Sequence, residues 1–147
     1  MSKPDKIQAF IQKCRENHLS VTPQRLAIYR TIADDHSHPN PESIYKRIKE
    51  EFPTISFATV YKTLETFEKY GIISMVTTIH NTVRYDPITK PHHHAICVRC
   101  KKIIDIFDDQ LDHLPVPPAV TDGNKLLHYS VQFNIICADC LAKDSNN

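Results

Sequence analysis

Nine histidines and five cysteines stand in this chain of 147 residues, and the ones able to do chemistry are concentrated in its second half. Cys97-Val98-Arg99-Cys100 and Cys137-Ala138-Asp139-Cys140 are two Cys-x-x-Cys pairs, a spacing that lets one turn of backbone bring two sulfurs to a common point. Two such pairs supply four thiolates, the usual complement of a closed tetrahedral zinc site, here one structural Zn2+ per subunit. The same stretch holds a harder set of donors, His92, His94 and Asp105, which a thiolate site does not use. A second metal site is expected from them. His92 and His94 are two apart at the start of a predicted strand and project to one face; Asp105 returns on the neighbouring strand of a hairpin and can stand opposite. His93 points to the other face and is left out. Nitrogen and oxygen donors of this kind form a harder set than the four thiolates, which retain zinc.

The elements that must position these residues follow from periodicity. Ile7, Phe10, Ile11 and Cys14 form one apolar helix face, with a stop at Asn17-His18 and Cys14 buried. Thr22-Pro23 and Asn40-Pro41 each read as an N-cap followed by proline at the first helical position, and Pro53 closes the helix begun at Asn40. Ser56 caps a fourth helix that puts Phe57, Val60, Leu64 and Phe67 toward a core and Thr59, Tyr61, Lys62, Thr63 and Thr66 toward water, with Gly71 past its end. Two β-rich runs follow, Ile72 to Ile79 and Thr82 to Asp86, joined by a tight turn at His80-Asn81. Short helices followed by a hairpin form the winged-helix pattern, whose last helix enters the major groove. On that helix Thr59, Tyr61 and Lys62 are the expected DNA contacts, with Arg25 as a further phosphate contact.

The proline-bounded segment 87–91 reads as a hinge between residues 1–86, a winged-helix DNA-binding domain, and residues 92–147, a small α/β domain. The fold class is therefore α+β. Strands are predicted at about His94 to Val98 and Lys102 to Phe107. A helix begun at Asp108 is cut short by Pro115, Pro117 and Pro118. From Leu127 the chain alternates, with Tyr129, Val131, Phe133, Ile135 and Cys137 on one side, which predicts a half-buried strand running into the second cysteine pair.

Composition constrains the setting. Residues 1–90 carry 13 Lys and Arg against 10 Asp and Glu, and residues 91–147 carry 5 against 7, so the basic half is the half with the winged-helix pattern. No apolar run approaches the roughly 20 residues of a membrane span, and the first residues lack a signal-peptide pattern. A cytoplasmic protein without a membrane partner is expected, and in that reducing compartment paired cysteines serve as metal ligands.

Thr-Pro-Gln-Arg (22–25), His-Pro (38–39), Ala-Thr-Val-Tyr (58–61), the histidines at 92–94 and both Cys-x-x-Cys pairs, in this order, resemble the ferric-uptake-regulator family of metal-dependent bacterial repressors. The resemblance implies a C-terminal dimerisation domain and a homodimer on inverted-repeat, double-stranded operator DNA. It implies a regulatory Fe2+ or Mn2+ held by His38, Asp86, His92, His94 and Asp105. Asp at position 105, where iron-uptake regulators typically have Glu, is similar to the peroxide-sensing branch, in which metal-catalysed oxidation of a ligand histidine, here His38 or His92, releases the DNA. Such single-use chemistry on the protein itself is not enzymatic. Some members carry another metal site whose positions here are Pro91 and Tyr129, with His128 out of register, so that site is expected to be absent. Ser20 stands where many members have Lys or Arg. The rivals are a repressor of the same fold reporting iron or zinc supply, a zinc-containing thiol redox protein, and a zinc-stabilised interaction module.

Overall fold

The computed structural model describes residues 2–78 and 82–146 and divides into two compact units, residues 1–89 and 90–147. The division falls within the 87–91 connector. The expected turn at His80-Asn81, and the end of the strand expected to reach Ile79, lie outside the described residues.

The first unit comprises α1 (Lys3–Glu16), α2 (Pro23–Ala33), α3 (Pro41–Glu51), α4 (Phe57–Lys69), β1 (Ser74–Thr77) and β2 (Val83–Asp86). Each helix boundary has a local cause. The Thr22, Asn40 and Ser56 side chains accept from the backbone N–H groups of Arg25, Ser43 and Thr59, each satisfying a donor that the helix start leaves open. α1 stops at His18, which adopts φ 56°; His18 N–H returns to Arg15 O and Leu19 N–H to Cys14 O. Gly71, at φ 65°, closes α4 in the same way, with Gly71 N–H on Glu68 O and Ile72 N–H on Phe67 O.

The apolar faces of the four helices meet over Phe10, Cys14, Ile28, Ile32, Ile44, Ile48, Val60, Leu64 and Phe67, all buried. Phe10 stacks on Tyr29 at 4.3 Å and meets Phe67 edge-on at 5.5 Å. Two positions on α4 depart from the expected faces. Phe57 is 39% exposed, because it turns sideways to pack edge-on against Tyr45 of α3 at 5.6 Å. Thr63 is 8% exposed, its hydroxyl satisfied by Thr59 O at 2.9 Å, so a residue expected to face water is covered. β1 and β2 pair antiparallel, Ser74 with Asp86 through Thr77 with Val83, while Ile72 and Ile73 ahead of β1 are buried in the core rather than paired.

The second unit comprises β3 (His93–Cys97), β4 (Ile103–Ile106), the single turns α5 (Asp109–Asp112) and α6 (Pro118–Thr121), β5 (Gln132–Ile135) and α7 (Ala138–Ser145). Its sheet has the order β4-β3-β5, antiparallel between β3 and β4 and parallel between β3 and β5. A parallel neighbour requires a long crossover, which the prolines break into α5 and α6. The last strand is shorter than its alternation predicts. Only Gln132–Ile135 pair, Leu127 is 79% exposed and Phe133 41%, because within one chain the apolar side of this segment has little packed against it. Cys137 starts α7 instead of ending β5.

Candidate metal centres and nucleic-acid face

The four cysteines of the two Cys-x-x-Cys motifs converge in the second unit, with all four sulfurs within 4.8 Å of one another. The backbone explains why. After β3 the chain turns tightly, with Lys101 at φ 67° and its N–H on Cys97 O, so that Cys100 N–H points at Cys97 Sγ. β5 then delivers Cys137 to the start of α7, whose first turn carries Cys140. Cys97 Sγ lies 3.8 Å from Cys140 Sγ, and Cys100 Sγ lies 3.7 Å from Cys137 Sγ. Thiolates at about 2.3 Å from a tetrahedral zinc ion stand about 3.8 Å apart, so the cluster fits structural zinc.

Its electrostatics agree. The N–H groups of Cys100 and then Cys137 point at the Cys97 sulfur and bring its pKa down to about 6. The Cys140 thiol is pushed up to about 12, first by hydrogen bonding with Cys137 and then by burial. Within the cluster the Cys97 sulfur ionises readily while the neighbouring Cys140 thiol resists. The pair formed by Arg99 and Asp144 ties the first cysteine turn to α7.

His92, His94 and Asp105 also come together within the second unit. His94 is the direct cross-strand partner of Asp105, and its Nε2 is 3.3 Å from Asp105 Oδ1. His92 Nε2 is 3.1 Å from the same oxygen, and the two imidazole centroids are 4.5 Å apart. The His92 ring is fixed from behind, where Nδ1 donates to Lys90 O at 2.7 Å, and Phe107 stacks on its face at 4.9 Å. A ring that donates through Nδ1 presents a lone pair at Nε2 when neutral. That lone pair faces a carboxylate oxygen, and two acceptors at this distance need a cation between them, a proton or a metal ion.

In the first unit His38 Nε2 is 3.2 Å from Asp86 Oδ2, and both side chains are 1% exposed. Ile88 N–H donates to the other carboxylate oxygen at 2.8 Å and sets its plane. Each unit thus presents its own buried or half-buried group of imidazole and carboxylate donors, the chemistry that fits a regulatory divalent metal.

His93, excluded from the set, lies on the opposite side of β3. It accepts from Val131 N–H at Nδ1 and donates from Nε2 to Asp112 at 2.9 Å, joining β3 to α5. Tyr129 holds the same region: its hydroxyl donates to Leu111 O at 2.7 Å and accepts from Leu114 N–H at 2.9 Å.

Of the expected DNA contacts, Arg25, Thr59 and Lys62 line one shallow groove between the start of α2 and α4, together with Ser20, Thr22 and Gln24. Arg25 donates to Ser20 O at 2.9 Å, and the Thr59 hydroxyl is 2.9 Å from Ser56 Oγ. Tyr61, 38% exposed, stands apart from the groove beside Phe57, with ring centroids 6.2 Å apart. Sequence reasoning missed Phe107 and Arg84, the latter a neighbour of the His38 loop through the Ser37 and His38 carbonyls. No spacing rule flags either residue.

Among known proteins, the chain is 31% identical over 140 residues to the peroxide operon regulator of Bacillus subtilis, covering 95% of this chain and 97% of that one. It is 35% identical over 138 residues to the peroxide-responsive repressor PerR of Staphylococcus saprophyticus, covering 93% of each. The solved Campylobacter jejuni peroxide stress regulator superposes with a TM-score of 0.66 at 33% identity, over 88% of this chain and 98% of that one. The Helicobacter pylori ferric uptake regulator shares the fold at a TM-score of 0.75 and 22% identity, over 96% and 95%. Residues 16–140 match the ferric uptake regulator family, and the chain belongs to that family of repressors, resembling its peroxide regulators.

Proposed function

We propose that this protein is a metal-dependent transcriptional repressor that senses peroxide. In this reading a regulatory Fe2+ or Mn2+ is held by His38, Asp86, His92, His94 and Asp105, and the protein binds inverted-repeat operator DNA as a homodimer in the cytoplasm. Residues 1–86 bind DNA, residues 87–91 act as the hinge and residues 92–147 dimerise. The observation that carries the reading is Asp105, whose carboxylate oxygen receives both His92 and His94 while the first unit separately offers His38 with Asp86. It is supported by the 31% and 35% identity to peroxide regulators.

The division of labour follows from the donors. His38 and Asp86 belong to one unit and His92, His94 and Asp105 to the other, so a shared ion would tie the two together. A ligand that binds one arrangement of the units better than another shifts the population by that difference alone, and a tenfold shift takes about 1.4 kcal/mol. When bound, Fe2+ would supply one-electron chemistry, reducing hydrogen peroxide to hydroxide and a hydroxyl radical. The imidazole of His38 or His92 would add that radical at a ring carbon and give up one further electron, to the Fe3+ so formed, and a proton; with one more oxygen it would lose its donor quality and release the units. Lys90 O and Phe107 keep His92 in one orientation throughout. The zinc cysteines stand outside this chemistry and hold β3, β5 and α7 together.

Homodimerisation is supported by the apolar surface of the second unit. Leu127, Phe133, Val120 and Leu141 are exposed, and Leu114, Pro115, Val116 and Leu126 line an apolar groove. On the first unit, the groove holding Arg25, Thr59 and Lys62 and the exposed Tyr61 on α4 support the DNA-binding assignment.

Operator binding provides the test. Duplexes selected from a random pool with Mn2+ present are titrated with metal-free, Mn2+-loaded and Fe2+-loaded protein, before and after hydrogen peroxide. Tight binding with either metal, lost after peroxide only in the Fe2+ protein, is the expected result. Binding that depends on metal but survives peroxide would identify a metal-supply repressor instead.

A further inference from the structure

Arg84 lies two residues before Asp86 on β2, on the same side of the strand by alternation. Its side chain is half-buried and turned onto the loop that carries His38: Nε donates to the His38 carbonyl, and Nη2 donates to the Ser37 carbonyl at 2.8 Å. The next residue of the strand continues the pattern, with Tyr85 N–H on Pro39 O at 3.0 Å. Three successive carbonyls, 37 to 39, are thus held by two successive residues of β2.

The held loop is unusual. His38 adopts φ 57°, the left-handed region that a residue with a Cβ rarely occupies, and it does so with its ring buried against Asp86. Such a conformation persists only where its surroundings determine it. From the far side, Asp35 Oδ1 accepts from Ser37 N–H at 2.9 Å, and Arg47 holds the other Asp35 oxygen at 2.5 Å. Arg84 closes the loop from the β2 side. A planar guanidinium spans two adjacent carbonyls, whereas an ammonium on a flexible stem offers a single point of charge.

We propose that Arg84 is a positioning residue for the regulatory metal, fixing the backbone of His38 so that its ring Nε2 is presented beside Asp86. The inference rests on the ligand set proposed above. Arg84 acts through the His38 backbone and sets how much of the binding energy is lost to ordering the loop. Outer-shell partners of this kind typically change metal affinity by roughly 10–100-fold when removed.

The test uses full-length, zinc-loaded wild-type protein with R84A, R84K and H38A. Free Mn2+ is followed by electron paramagnetic resonance, with zinc content and thermal midpoint measured alongside. R84A should bind Mn2+ roughly 10–100-fold more weakly with zinc stoichiometry unchanged, and R84K should recover part of the loss. If H38A loses Mn2+ binding and R84A does not, the role of Arg84 is refuted while the ligand set stands. If H38A binds like wild type, the ligand set is wrong and this proposal falls with it. Should R84A lose its cooperative melt, R84K decides: intermediate affinity supports positioning, and wild-type affinity overturns it.

Discussion

His94 and Asp105 are direct partners across the β3–β4 ladder, with the imidazole Nε2 3.3 Å from the carboxylate Oδ1. A short carboxylate on the facing strand reaches the two histidines with its backbone held in register, and lengthening it by one methylene must displace the oxygen or the ring. We expect D105A to lose Mn2+ binding by at least roughly 10-fold. D105E should retain metal-dependent DNA binding while histidine oxidation by peroxide slows. Calorimetric Mn2+ titration and peroxide time courses check the two parts; equal oxidation rates in D105E and wild type would remove Asp105 as the determinant of the signal.

The zinc cluster should behave as a fastener. Replacing Cys140 with Ser removes one of the four converging sulfurs and is expected to reduce zinc below one ion per chain. Hydrogen-exchange protection should then fall in β3, β5 and α7, while helices α1 to α4 keep theirs. Protection lost equally in both units would show that the cluster supports the whole chain.

Tyr85 provides a pH signature for the first unit. It is 2% exposed, and its phenol is pushed up to about 12 by burial first and by nearby Tyr61, Glu65, Glu68 and Glu42 after it. A raised folded-state pKa means that its contribution is fully present below pH 10 and is lost as pH rises toward 12. The loss is on the order of 2 kcal/mol. Tyr85→Phe should flatten this alkaline limb in urea unfolding. An unchanged limb would assign the alkaline loss to other groups.

On the DNA face, Tyr61→Ala should weaken specific binding by about 1–3 kcal/mol if the ring meets a base, leaving binding to random duplex nearly unchanged. Lys62→Ala and Arg25→Ala should weaken both and each lower the salt slope by about 1. Binding measured across a salt series separates the two behaviours.

Much of this molecule was legible because its signals are local. Thr22, Asn40 and Ser56 announce helix starts through bonds spanning three residues, and Cys-x-x-Cys announces a turn. The pairing of His94 with Asp105 was legible because a hairpin of known alternation leaves little choice of register. Phe57 and Thr63 depart from their expected faces because helical periodicity gives an angle and not the shape of the neighbouring surface; Tyr45 draws one outward-lying ring, and the other position is covered. The β5 segment shows the opposite failure. Its alternation is genuine, yet Phe133 and Leu127 remain exposed within a single chain. Arg84 and Phe107 were invisible, since their partners lie 46 and 15 residues away with no spacing to connect them.

The central claim is that peroxide is read by oxidation of a metal-ligand histidine. Protein loaded with Fe2+ is exposed to hydrogen peroxide, digested and mapped by tandem mass spectrometry, with Mn2+-loaded protein and D105A treated in parallel. The account predicts addition of one oxygen at His38 or His92 in the Fe2+ protein alone, in step with the loss of operator binding. Operator release with both histidines unmodified, or equal oxidation in the Mn2+ and D105A samples, would contradict it.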